Sequence, residues 1–424
     1  MGAGLLRRAR WLAPAIGGCL AALAFAAPTA GAASFGSPVV VSQVDTAEPG
    51  IDVAPNGNIY VNAPSGLLSN LPGSPSYVWR SQDGGATWTL TPFGARTNLP
   101  GGGDSDIALP PGSGKLFMTD LWLGSSTVST STNQGQTWKA NPLEGTPIQD
   151  RQWISATSNK VAYHLTHQLP AGLIVSRSID GGLTYPIRTI AATPLDQTGC
   201  ICPPGTMVSR PGSNALGLKD RVGFVYATST GGVNFARSTD GALTFSQHEV
   251  SPASDAQTSG AFPVVSAAGG QRLVAVWQES LDQSTRVRYS TSADWGNTWS
   301  SPKTLLDSGT SLFPWVAASG SKIAVSLYHT SAAGTPATVP EGAEWFESYL
   351  ESTDGGATFS GLQSADPTPV KTGPICTEGI NCSGDRELLD FQSVALDGAR
   401  RANLAYARSV DGNSDTQIRF VREG

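Results

Sequence analysis

Charged side chains are sparse in this sequence, at 14% of residues, so the places where they gather are informative. Asp104 and Asp106, Asp150-Arg151, and Asp385-Arg386-Glu387 are three such places. A carboxyl group can give or take a proton at a reacting atom. An arginine fork can hold a carboxylate with two parallel hydrogen bonds. A second set pairs aromatic and polar residues: Tyr163-His164, Gln278-Glu279 and Tyr328-His329, with Asp120 and Tyr226 alone. Aromatic rings in such positions can stack on sugars or pack between sheets. Two readings of the Asp-Arg pairs stand side by side. Each pair bonds loop backbone and fixes its own segment, or together they ring one pocket. His164 and His167 lack a third metal ligand nearby in sequence.

These residues need a framework, and one phrase supplies it: Ser-x-Asp-x-Gly-x-Thr-aromatic. It runs from Ser81 to Trp88, Ser131 to Trp138, Ser178 to Tyr185, Ser238 to Phe245, Ser292 to Trp299 and Ser352 to Phe359. Its third position is Asp83, Asn133, Asp180, Asp240, Asp294 and Asp354 in turn. Asp can bond its own backbone, Gly takes φ > 0, and the aromatic starts a return strand, so each copy predicts a hairpin turn. A fixed turn recurring every ~40–60 residues predicts a β-propeller with one copy per blade. Three strands precede each copy, and Gly (49) and Pro (29) suit the many turns between them. A seventh unit follows the sixth copy, with strands at 388–395, 402–408 and 416–421 and no fourth strand. Segment 35–44 supplies it, because Phe35-Gly-Ser37-Pro38 matches Trp299-Ser-Ser301-Pro302, the start of a fourth strand. The expected fold is all-β: seven four-stranded antiparallel blades, closed by the N-terminal strand. The alternative is six blades with an accessory strand pair. In the seven-bladed ring, where blades six, seven and one are neighbours, loops 64–75, 329–343 and 361–387 would form one lip on the channel face.

The phrase resembles the Asp box, or BNR repeat, of the sialidase superfamily, and the six copies span nearly the whole chain. The resemblance implies that the boxes sit on outer turns, away from the active site, and that their Asp residues are structural. It also implies a glycosidase with an arginine cluster, an Asp acid/base and a Glu-activated Tyr nucleophile. On that pattern Asp104 or Asp150 is the acid/base, Arg151 and Arg386 clamp the substrate, and Tyr328 or Glu279 lies near the reacting carbon. The family's Arg-Ile-Pro motif is missing near the N-terminus; Pro186-Ile187-Arg188 matches neither its order nor its place. The resemblance therefore carries the fold further than the catalytic residues. The expected function is a carbohydrate-acting, sialidase-like protein, an exo-glycosidase if it is an enzyme. The alternatives are a non-catalytic glycan- or protein-binding propeller and a polysaccharide lyase.

Residues 1–32 read as a secretory signal: Arg7, Arg8 and Arg10, then an apolar run, then Ala30-Gly31-Ala32. Residues 33–424 read as one domain that is secreted and monomeric and spans no membrane. The formal charge of −6, with no basic run, argues against nucleic acid and leaves carbohydrate, an acidic glycan included, as the expected partner. Four cysteines follow the leader. Cys376 and Cys382 are expected to pair, and Cys200 with Cys202, with cross-pairing as the alternative. No cofactor is expected. The acidic loops offer oxygen ligands to calcium, but no spacing specifies it.

Overall fold

Each of the six repeated turns joins the third and fourth strands of a four-stranded antiparallel sheet. The structure is a computed structural model. It describes residues 1–2, 33–66, 71–94, 98, 101–122, 124–141, 148–197, 203–254, 258, 262–382, 386, 388–410 and 415–424. Residues 3–32, expected to belong to the secretory signal, and Cys200 and Cys202, expected to pair, lie outside them. The Cys376–Cys382 bridge is formed, with Cα atoms 5.9 Å apart.

The seven sheets are the blades of a propeller. Blade one holds β2 (Gly50–Val53), β3 (Ile59–Ala63), β4 (Tyr77–Ser81) and β5 (Thr89–Leu90). Blade two holds β6 (Gly101–Ala108), β7 (Leu116–Trp122), β8 (Ser125–Ser131) and β9 (Lys139–Ala140). Blade three runs from β10 (Gln149–Ala156) through β11 (Ala162–Gln168) and β12 (Gly172–Ser178) to β13 (Ile187–Ala192). Blades four, five and six begin at β14 (Pro204–Arg210), β18 (Val264–Ala267) and β22 (Thr310–Ser319). Blade seven holds β27 (Ser393–Leu396), β28 (Ala402–Val410) and β29 (Asp415–Arg422). Its fourth strand is β1 (Val39–Ser42), which pairs antiparallel with β29, Val39 opposite Phe420. The ring is thus closed by the segment the Phe35-Gly-Ser-Pro match selects, and there are seven blades rather than six.

The boxes show why their residues recur. Ser81 Oγ donates to Asp83 Oδ1 (2.8 Å) and accepts from Gly85 N (2.8 Å). Asp83 then accepts from both the backbone (2.9 Å) and the hydroxyl (2.6 Å) of Thr87. Asp180, Asp240, Asp294 and Asp354 repeat the pattern. Asn133 keeps the backbone bond through its oxygen and donates its Nδ2 to the Thr137 hydroxyl. Two consecutive residues in every box have φ > 0, which is why Gly fills most of those places. At Gly85 a Cβ would sit 1.9 Å from the Phe420 ring, so only glycine fits there.

Neighbouring boxes are tied together. The residue before the box serine in blades one, three and four is Arg, and it donates to a carbonyl of the next box: Arg80 to Gln134 (2.9 Å), Arg177 to Gly241 (2.9 Å), Arg237 to Trp295 (3.0 Å). Near the axis, side chains bridge all seven blade interfaces. Asp52 accepts from Leu109 N and Asp106 from Ile154 N, and Ser155 bonds Ser209. Thr206 accepts from Val265 N and Ser266 from Ala318 N, Gln392 donates to Phe313 O, and Ser393 donates to Pro49 O.

Two placements differ from expectation. The first strand of blade seven starts at Ser393, not at 388. Leu389 has φ +51 and Asp390 N donates to Glu48 Oε1 (3.0 Å), so this backbone turns towards blade one before it can pair. Asp150-Arg151 lie within β10 rather than ahead of a strand starting at 152, and β6 begins at Gly101, three residues before the expected start at Asp104. Both strands run further towards the channel mouth than the alternating pattern suggests, and both are irregular there, between Gly101 and Ser105 and between Gln149 and Gln152.

Arg177 is buried, so Arg177→Met leaves the Gly241 carbonyl without its charged donor. The expected loss is about 1.5–3 kcal/mol. It should read as a lower urea midpoint with an unchanged slope.

Candidate functional site

Arg151 is the centre of the channel mouth. Its side chain is 2% exposed and lies over three rings, with its guanidinium 4.2 Å from the Trp153 centroid, 4.3 Å from Phe391 and 5.5 Å from Phe262. Trp315 completes the group, stacked on Phe391 at 5.0 Å and 5.7 Å from Trp153. These rings come from blades three, five, six and seven, so they meet across the axis and plug the channel. Trp153 is pinned by its indole N–H, which donates to Pro204 O (2.9 Å).

Carboxylates crowd the other side of the guanidinium. Nη1 lies 3.2 Å from Asp104 Oδ1 and 3.5 Å from Glu48 Oε2. Asp150 hydrogen-bonds Asp104. Arg386 pairs with Asp390 at 2.7 Å, and the Asp390 backbone holds Glu48. Of the residues expected to form a site, Asp104, Asp150, Arg151 and Arg386 therefore lie together. Glu279 and Tyr328 lie elsewhere. Glu279 is buried and bound by Arg286, Arg288 and the Trp277 indole. Tyr328 is sealed between blades six and seven, where its hydroxyl donates to Ala407 O (3.3 Å) and accepts from Ala407 N (2.9 Å). His164 bonds Thr119, and His167 bonds the Asp150 backbone.

The two aspartates differ in protonation. Burial would raise Asp104, but the Arg151 charge and the Asp150 hydrogen bond outweigh it and hold Asp104 below its ordinary value. Asp150 moves up, through burial first and then the Asp104 charge. The two carboxyls titrate as a pair, with Asp104 the member pushed down and Asp150 the member pushed up; the Asp150 side chain reaches solvent at one edge while its carboxyl packs against Asp104. Glu48 is fully buried and raised, by burial and then by Asp390 and Asp104. Among the described residues no three His, Cys, Asp or Glu side chains are placed to hold a metal. The Arg151 guanidinium occupies the space between Glu48 and Asp104 that a cation would otherwise take.

Sequence reasoning missed Glu48, Asp390 and the aromatic plug. Glu48 had a usable signal, since it directly precedes the first strand of blade one, in the position that singles out Asp150. The plug had none, because its rings come from four blades and are adjacent only once the ring closes.

No protein-family model matches the chain, and no curated protein sequence matches it. Solved structures do. An α-L-arabinofuranosidase of Fusarium graminearum, bound to an iminosugar inhibitor, is 12% identical with TM-score 0.51, over 92% of this chain and 98% of that one. The GH74 enzyme of Niastella koreensis is 17% identical with TM-score 0.51, over 90% of this chain and 55% of that one. YCF48 bound to D1 peptide is 13% identical with TM-score 0.50, over 95% of this chain and 99% of that one. At these identities the likeness establishes the propeller fold alone.

Two channel aspartates give a pH signature. Burial pushes Asp52 up to about 6 and Asp106 up to about 7, from 3.8 in the unfolded chain. The folded state keeps protons that the unfolded state releases, so stability falls as pH rises from about 4 to 7. Box aspartates act oppositely: Asp83, Asp294 and Asp354, held at about 2 by hydrogen bonds, lose their contribution below about pH 4. Thermal melting should therefore peak near pH 4–5, and Asp106→Asn should flatten the fall on the alkaline side. A melting temperature that rises from pH 5 to 8 would contradict this assignment.

Proposed function

We propose that this is an exported, sialidase-like Asp-box propeller protein, with a leader at 1–32 and one domain at 33–424, that hydrolyses glycosidic bonds at the channel mouth. The observation that carries the reading is the Asp104–Asp150 pair. One carboxyl keeps its proton while its hydrogen-bonded neighbour is ionised, which is the split that general acid-base work needs. Asp150 donates its proton to the leaving oxygen as the glycosidic C–O bond breaks; a water molecule then adds its oxygen to the anomeric carbon and returns its proton to Asp150. Asp104, ionised against Arg151, restores Asp150's proton affinity after each turn. Arg386, the more exposed guanidinium, orients the sugar.

The rings below Arg151 close the channel beneath the carboxylates, which suits removal of terminal sugars over threading of a chain. Arg151 and Arg386 are already paired with Asp104, Glu48 and Asp390, so neither guanidinium is free to take a carboxylate, which favours a neutral sugar over an acidic one. The named arabinofuranosidase and GH74 structures share the fold and are consistent with a carbohydrate substrate.

The test is a panel of fluorogenic neutral pentosides and hexosides beside a sialoside, with Asp150→Asn and Asp104→Asn. The expected result is turnover of a neutral substrate, falling about 10²–10⁴-fold in kcat/KM in Asp150→Asn with melting retained. The wild-type kcat/KM should fall on an alkaline limb as Asp150 loses its proton. Full turnover by both variants would remove these residues from the mechanism. A folded protein that turns over nothing would leave a binding propeller.

A further inference from the structure

The residue before the box serine differs between blades, and the difference opens two related grooves on the rim. Where blades one, three and four carry Arg before the box serine, blades two and five carry Thr130 and Thr291. Arg80, Arg177 and Arg237 cross to the next box and fill the space between boxes. Thr cannot reach. A cavity of about 220 Å³ lies there between blades two and three, and one of about 350 Å³ between blades five and six.

The two cavities are built alike. Each has the box tryptophan as a wall, Trp138 or Trp299, half-buried and backed edge-on by a phenylalanine: Phe93 at 5.0 Å, Phe235 at 5.5 Å. Each has the exposed box threonine, Thr137 or Thr298, whose hydroxyl is also bonded to the box residue Asn133 or Asp294. Each has a cation at the start of the blade's second strand, Lys115 or Arg272, held by backbone carbonyls. Each ends on a glycine of the next box, Gly181 or Gly355, with no side chain to block it. An aromatic wall with a threonine hydroxyl and a cation at its edge makes a small concave site for a molecule with one apolar face and a hydroxylated edge. A neutral sugar ring has that chemistry.

We propose that these rim grooves are a pair of accessory binding sites for single sugar units of a neutral polysaccharide. They stand three blades apart, on the box rim rather than at the mouth, so one glycan surface can engage both while the mouth stays free. Two linked weak sites hold a polymer far better than either alone. This inference does not depend on catalysis at Asp150.

The remaining blades suggest the test. Thr130→Arg with Thr291→Arg rebuilds the arginine found in blades one, three and four and fills both grooves. Binding is measured by ligand-observed NMR and tryptophan fluorescence, with hexasaccharides of arabinan, xylan, cellulose and mannan. Wild-type and Asp150→Asn chains are both used, so that cleavage is not mistaken for binding. The expected result is that at least one hexasaccharide binds, that the double Arg variant weakens it tenfold or more, and that melting is unchanged or raised. Should that variant fold poorly, Trp138→Phe with Trp299→Phe keeps the ring packing while shrinking the wall, and should weaken binding severalfold. No binding by the wild-type chain would overturn the proposal. So would equal binding by a folded double Arg variant, or a response confined to acidic oligosaccharides tested alongside.

Discussion

A guanidinium stripped of water has to be held by something, and the placement of Arg151 organises the channel. Its three nitrogens are buried with no hydrogen bond from the described residues. What holds the charge is ring faces below and carboxylates above. Desolvated cation–π contacts contribute about 2 kcal/mol or more each, and a buried charge left unpaired would cost more than that. Glu48 comes from the approach to blade one, Asp104 from blade two, Arg151 and Trp153 from blade three, Phe262 from the approach to blade five, and Phe391 from blade seven. The arginine therefore ties distant blades across the axis. It also sets the electrostatics of the mouth, because its charge keeps Asp104 ionised, and ionised Asp104 keeps the proton on Asp150.

The rim obeys a different rule. There each box satisfies itself: serine, aspartate and threonine bond one another and the turn backbone, and the box needs only one contact to its neighbour. Arginine makes that contact in three blades. In the others it comes from elsewhere: the Lys115 ammonium donates to Gly181 O (2.7 Å) and the Tyr289 hydroxyl to Gly356 O (3.1 Å). Because the contact can come from either place, the position before the box serine is free to shrink without loss of closure. Variation at that one position leaves the fold intact and changes the surface.

How much was legible in the sequence follows from this division. The boxes are local, with every bond inside eight residues, so their spelling shows directly and their number sets the blade count. Ring closure was legible because Phe35-Gly-Ser37-Pro38 repeats a phrase found in its proper place elsewhere. The mouth is non-local. Asp104, Asp150, Arg151 and Arg386 were visible as charges leading into inner strands. Their shared environment was not, since it depends on Glu48 and on rings spread from Trp153 to Phe391. Glu279 and Tyr328 misled for the same reason. Each sits at the end of a second strand facing the mouth in register, but Arg286 and Arg288 close over Glu279, and the neighbouring blade closes over Tyr328.

The two ends of the molecule also differ in how well their polar groups and backbone are satisfied. Among the described residues, non-glycine backbone with φ > 0 outside the boxes occurs at Glu48, Phe313, Leu389 and Arg400. The first three border the mouth. Such conformations cost about 1–3 kcal/mol each and persist where surrounding contacts force them. The mouth also holds the buried nitrogens of Arg151, ion-paired with Asp104 and Glu48 but without a well-aligned hydrogen bond from the described residues, and the raised carboxyls of Glu48 and Asp150. A scaffold selected for stability alone would relax these features, and the box rim shows that this chain can satisfy its polar groups where nothing opposes it. Strain, a buried charge and a split carboxyl pair therefore coincide on one face, and the chemistry proposed for the mouth would account for all three.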